Sequence, residues 1–154
     1  MLWIMKPEQV IGAIGMASMT IRPGDTSVAQ GVNDLPVIGS NQILGLAESA
    51  CSTAIIEFLD FGETTVTSSS ELDIKGAAGV GSEIHATARC LGLIDGSLKF
   101  EVEIHQNSRL VATGLITRKF LERVSFMARV AAETIVADKA INSNNEKIAS
   151  SLNF

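Results

Sequence analysis

Glu48 is an acid placed inside an apolar helical stripe. At about 100° per residue, Ile43, Leu44, Ala47, Cys51, Ile55 and Leu59 fall on one arc, with Ser49, Thr53, Glu57 and Asp60 on the other. Glu48 comes four residues after Leu44, three before Cys51 and seven before Ile55, so the helical phase turns it toward the apolar arc. A carboxylate drawn out of water there is suited to general acid/base or nucleophilic work. The alternative is a carboxylate at the edge of the stripe that reaches solvent or pairs with a neighbouring arginine.

Ser40 opens the same stretch, either as a helix cap or as a nucleophile. Caps favour serine strongly, whereas a serine nucleophile needs a base close by. Cys51 follows Glu48 by one turn with no basic partner in view, which reads as helix packing. His85 and His105 alternate in step with Glu83, Arg89, Glu101 and Glu103, on strand faces that point to solvent. Arg118, Lys119, Arg123 and Arg129 stand against a single acid, Glu122, and form either a local anion site or a solvated face.

Periodicity defines the elements that must hold these residues. Pro7 opens a short helix over residues 7–14. Arg22-Pro23-Gly24-Asp25 is a turn, residues 26–30 a short edge strand and 31–39 a loop. The long helix begins at Ser40 or Asn41, either of which can accept an orphan amide hydrogen bond, and stops at Gly62. The period then falls to two. Residues 64–75 form a strand with Val66, Leu72 and Ile74 on one face. Residues 82–94 and 97–106 are strands joined by Asp95-Gly96, a two-residue hairpin signal. Asn107-Ser108 turns into a strand over 109–121, in which Gly114 marks a bulge or a close backbone approach. Helical character returns over 120–140, and the Ser- and Asn-rich stretch from Asn142 reads as a mobile tail. A long apolar helix followed by antiparallel strands predicts an α+β fold with the helix covering one sheet face.

The 154 residues are 46% apolar, which fits one folded domain and excludes disorder for most of the chain. Twelve Lys and Arg against 17 Asp and Glu give a charge of −5, which excludes a broad basic field for nucleic acid. No apolar run approaches the roughly 18 to 20 residues of a membrane span. The stretch 1–19 superficially resembles a secretory leader, but Lys6, Pro7 and Glu8 interrupt it and no basic head precedes it. Cys51 and Cys90 are too few for a disulfide scaffold and lack the spacing of a zinc site. No metal is expected, and both cysteines read as reduced thiols in the cytoplasm.

The order of elements and several short motifs resemble the hot-dog thioesterase superfamily, specifically the fluoroacetyl-CoA thioesterase type. The resemblance runs from about Pro23 to Phe126 and is carried by four segments: Leu35-Pro36-Val37-Ile38-Gly39-Ser40, Leu46-Ala47-Glu48-Ser49-Ala50-Cys51, Phe61-Gly62-Glu63-Thr64-Thr65-Val66, and Gly114 through Arg118. It implies a hot-dog fold, an antiparallel five- or six-stranded sheet wrapped around a long central helix. On that reading 1–121 is the hot-dog domain and 122–154 a C-terminal helix and flexible tail. It also implies a homodimer with acyl-CoA sites at the interface, without nucleic acid, membrane or any cofactor beyond CoA as part of the substrate.

Such enzymes use a hydroxyl before the central helix, a Glu on it and a His after the next strand. Ser40 and Glu48 match the first two. Asn41 replaces the family's Pro, and counting back from Gly81 the His position falls at or beside Ile74. Asn41, Ile74 and Gly81 are expected at the substrate through these family positions, and Arg118 through the basic cluster, which as a local anion site would meet the CoA phosphates. Three functions stand: acyl-CoA thioester hydrolysis, non-catalytic binding of an acyl thioester or another apolar ligand, and hydration or dehydration of an enoyl thioester. Absence of the His leaves open whether the chain is an enzyme at all, and fold kinship alone does not choose among the three.

Overall fold

Alternation organises the centre of the molecule. In the computed structural model, which describes residues 7–152, β3 (Glu83–Ile94) and β4 (Ser97–Gln106) form an antiparallel hairpin. Ile84, Ala86, Ala88 and Cys90 of β3, and Leu98, Phe100, Val102 and Ile104 of β4, all point inward and are buried. Asp95 (φ 52°) and Gly96 (φ 77°) both take the positive φ that a two-residue hairpin turn requires.

Three more strands complete a five-stranded sheet in the order β1-β3-β4-β5-β2: β1 (Ile14–Thr20), β2 (Glu63–Ile74) and β5 (Arg109–Glu122). The central helix α2 (Ser40–Ile55) packs on β1, β3 and β4. It buries Ile43, Leu46, Ala47, Ala50, Cys51 and Ile55, and each large aliphatic among them contributes roughly 1.5–3 kcal/mol. The seat is close at Gly15 of β1, where a Cβ would lie 2.8 Å from the Ala54 Cα and still nearer the Ala50 carbonyl oxygen. Gly114 of β5 makes a second close approach, since a Cβ there would lie 2.8 Å from the Glu71 carbonyl oxygen of β2. Of the two sequence readings of Gly114, close approach is the one observed. The bulge in β5 falls earlier, between the Ile104 and His105 pairings.

Several expected boundaries change. The first helix, α1, is only Pro7–Val10, and β1 follows where no strand was expected. Residues 1–6 of the leader-like stretch lie outside the described residues. Thr26 makes a single antiparallel bridge with Ile38 and not an edge strand, because its neighbours turn to hydrogen-bond within the loop. Helix α2 ends at Ile55 and tightens into a 3-10 turn over Ile56–Phe58 before Gly62, whose φ is 91°.

The chain divides into two compact units, the second made of residues 62–64 and 121–154. Helix α3 (Arg123–Leu152) makes up most of the second unit. The Glu122 carboxylate accepts hydrogen bonds from the amides of Val124 (3.1 Å) and Ser125 (2.7 Å), capping its first turn. The expected tail from Asn142 is instead helical to Leu152. No Gly or Pro interrupts 123–152, and the Ser150 and Ser151 hydroxyls bond back to the carbonyls of Lys147 and Ile148.

Candidate active site

Strand β2 lies at the sheet edge beside β5, and both bring side chains toward the flank of α2. On β5, alternation turns Ile116, Arg118 and Phe120 inward together, so a guanidinium enters the core layer. A buried arginine must place its donors. Arg118 gives Nε to Thr65 Oγ1 (2.9 Å), Nη1 to Thr67 Oγ1 (2.8 Å), and Nη2 to both the Thr65 carbonyl (2.8 Å) and Ser52 Oγ (3.2 Å). Of the neighbouring β2 residues Thr65 is buried and Val66 only partly so, which fits an inward threonine serving the guanidinium.

Glu48 stands next to this cluster. Its Oε2 accepts a hydrogen bond from Thr67 Oγ1 at 3.0 Å and lies 3.7 Å from Arg118 Nη1. The Glu48 side chain is 35% exposed, against 7% for Arg118. Helical phase therefore carries the carboxylate to the edge of the apolar stripe, where it pairs with an arginine and keeps an opening to solvent. That is the second of the two sequence readings. Burial pulls the Arg118 guanidinium below its ordinary value, while the neighbouring Cys51 and Glu48 act in the opposite sense. Burial also pushes the Cys51 thiol up to about 12, so it has no nucleophilic character near neutral pH.

The other sequence candidates are placed elsewhere. Ser40 is exposed and is the first residue of α2, not its cap. Gly39 holds the cap position, and its carbonyl accepts from Gln42 and Ile43. Ser40 and Asn41 thus stand at the helix N-terminus, whose first amides have no acceptor within the helix. Eight residues of helix set Ser40 about 12 Å from Glu48 along the axis. Ile74 is 45% exposed at the far end of β2. Seven residues of strand put it up to about 23 Å from Thr67. Gly81, with φ 89°, turns the chain into β3 and donates its amide to the Ile21 carbonyl. The chain therefore brings Arg118 to Glu48, while Ser40, Asn41 and Ile74 stand at the far ends of α2 and β2. Arg118 faces the core, so it does not stand with exposed Lys119 in an anion site, and its donors already have protein partners.

His85 and His105 face each other across β3 and β4 on the outer side of the sheet, near Glu83 and Glu103 respectively, as alternation predicts. A groove of about 630 Å³ also lies on that outer side, bordered by Glu71, Asp73, Arg89, Glu101 and Glu103, and Glu48 is not part of it. Among the described residues no group of three or more His, Cys, Asp or Glu could hold a metal ion. No described helix is long and apolar enough to cross a membrane.

Sequence reasoning did not single out Ser52, Thr65 and Thr67. The signal was present in the inward phase of Arg118 between Ile116 and Phe120, which calls for polar acceptors on the neighbouring strand.

A curled antiparallel sheet around one long helix is the hot-dog architecture, and solved structures agree. The fluoroacetyl-CoA thioesterase FlK is 20% identical with a TM-score of 0.73, covering 79% of this chain and 95% of that one. A thioesterase superfamily member from Thermus thermophilus is 18% identical with a TM-score of 0.75, covering 84% and 96%. A hot-dog-like protein from Thermanaerovibrio acidaminovorans is 17% identical with a TM-score of 0.75, covering 84% and 97%. No curated protein matches the chain in sequence. The family model for FlK, fluoroacetyl-CoA-specific thioesterase, matches residues 21–124, and the chain belongs to that family. The match ends at the start of α3, so nearly all of that helix lies outside the family's common domain.

Proposed function

We propose that the protein hydrolyses an acyl-CoA thioester, with Glu48 as the reacting carboxylate, at a site shared by two copies of the chain. The observation that carries this reading is the state of Glu48: anchored through Oε2 by Thr67 and Arg118, yet open to solvent at the edge of the core. Family membership supplies the reaction class. The separation of about 12 Å between Glu48 and the N-terminus of its own helix supports a two-copy site. In such a site the α2 N-terminus of one copy stabilises the developing oxyanion with its free amides and dipole, and Glu48 comes from the other.

Glu48 takes a proton from water as the water oxygen adds to the thioester carbon. The C–S bond then breaks, CoA leaves as thiolate and takes up a proton, and the acid is released. Ser40, at the helix N-terminus, orients the thioester. Cys51 and Cys90 are both free and buried, in keeping with a reducing, cytoplasmic setting. The chemistry calls for no cofactor and no metal.

Short- and medium-chain acyl-CoAs, assayed for free thiol, test the proposal. Thiol release by the wild type supports hydrolysis. Tight binding without thiol release would instead indicate a carrier, and hydration of an enoyl-CoA without thiol release would indicate a hydratase.

A further inference from the structure

The order of donors around Thr67 fixes which oxygen of Glu48 can react. An arginine only donates, so the Thr67 oxygen accepts from Arg118 Nη1 at 2.8 Å and its single hydrogen is free to go to Glu48 Oε2 at 3.0 Å. The guanidinium polarises that hydroxyl and strengthens the bond it donates. Arg118 is itself held at three other points, by the Thr65 hydroxyl, the Thr65 carbonyl and Ser52. It cannot swing out to a substrate without leaving those acceptors unpaired in the core. The hydrogen bond and the ion pair both converge on Oε2 and neither engages Oε1, on a side chain that is 35% exposed.

We propose that Arg118 and Thr67 are positioning residues: an inward chain from the guanidinium through the Thr67 hydroxyl locks Glu48 Oε2 and presents Oε1 to water or the thioester. This rests on the hydrolase reading for its effect on rate, and it replaces the expectation that Arg118 binds CoA phosphates. Orientation of a carboxylate that has no histidine beside it thus comes from a threonine on the edge strand.

The test compares Thr67→Val, which keeps the volume and removes the hydroxyl, with Thr67→Ser, which restores it. Thr67→Val is expected to lower kcat about 10- to 100-fold with KM within about twofold, and Thr67→Ser to return kcat to within about threefold of wild type. A loss of packing alone would not be rescued in this way. A second readout does not depend on turnover. The infrared carboxylate stretch of Glu48, isolated by subtraction of Glu48→Gln, should move in Thr67→Val and return in Thr67→Ser. If Thr67→Val does not fold, Thr67→Ala and Arg118→Lys carry the same two measurements. An unmoved carboxylate band overturns the positioning role, whatever happens to the rate. Unchanged kcat in a thioester-active enzyme overturns it as well, while leaving hydrolysis intact. If the wild type releases no thiol from any acyl-CoA, the hydrolase reading fails alone and the infrared comparison decides the positioning role.

Discussion

Gly15 tests how tightly the helix carrying Glu48 must sit on the sheet. A Cβ there would lie 2.8 Å from the Ala54 Cα, whereas carbons in contact prefer about 3.5–4.0 Å. The obstruction is backbone on both sides, so no side-chain rotation relieves it and α2 must lift from β1 by about 1 Å. Forced overpacking of this kind costs about 1–3 kcal/mol. At about 2–4 °C per kcal/mol for a chain of this size, Gly15→Ala should lower Tm by about 2–12 °C. Ala50, the nearest obstructing residue, is two positions after Glu48, so the displacement reaches the carboxylate. Misplacement by about 1 Å can cost up to about 100-fold in rate. Thermal unfolding followed by circular dichroism, together with thiol release from the best acyl-CoA, measures both effects. A Gly15→Ala protein with wild-type Tm and wild-type kcat would refute the claim that backbone contact at β1 sets the height of the helix.

Cys51 predicts an alkaline loss of stability. Burial raises its folded pKa from 9.0 to about 12, so the unfolded chain releases the proton first. This contribution is therefore level below about pH 9 and destabilises as pH rises from there toward 12. Urea midpoints between pH 8 and 10.5 should fall less steeply for Cys51→Ala than for wild type, and identical slopes would count against the argument. The native Cys51 thiol should also resist alkylation at pH 8 and react once the chain is unfolded; rapid native labelling would contradict its burial. His85→Ala combined with His105→Ala should leave turnover within about twofold, since both rings lie on the outer face of the sheet. A tenfold loss would show that a surface histidine takes part after all.

The β3–β4 hairpin was legible because two independent signals coincide, alternation over 84–90 and 98–104 and Asp95-Gly96 at the turn, while the pairing irregularity between Cys90 and Gly92 was not, because the non-polar run Leu91-Gly92-Leu93-Ile94 hides it. Strand β1 was hidden. Its inward residues are Gly15, Ala17 and Met19, and two of them are small because the helix comes close, a constraint that local periodicity does not record. Glu48 was identifiable from helical phase, and phase also allowed for the arginine partner it has. The partner's identity depended on packing between β5, β2 and α2, which are distant in sequence. Reading Arg118 with Lys119, Arg123 and Arg129 grouped it by charge along the chain, while strand alternation assigned it to the core. Ser40 matched a motif position, but Gly39 takes the cap because its extended backbone already supplies the first helical acceptor.

The measurement closest to the central claim is the turnover of Glu48→Gln. Glutamine keeps the shape of the side chain and can still accept from Thr67, but it cannot take a proton from water. General-base chemistry contributes about 100- to 10,000-fold, so kcat for acyl-CoA hydrolysis should fall by that factor while Tm stays near wild type. A folded Glu48→Gln protein that releases CoA at the wild-type rate would contradict the account.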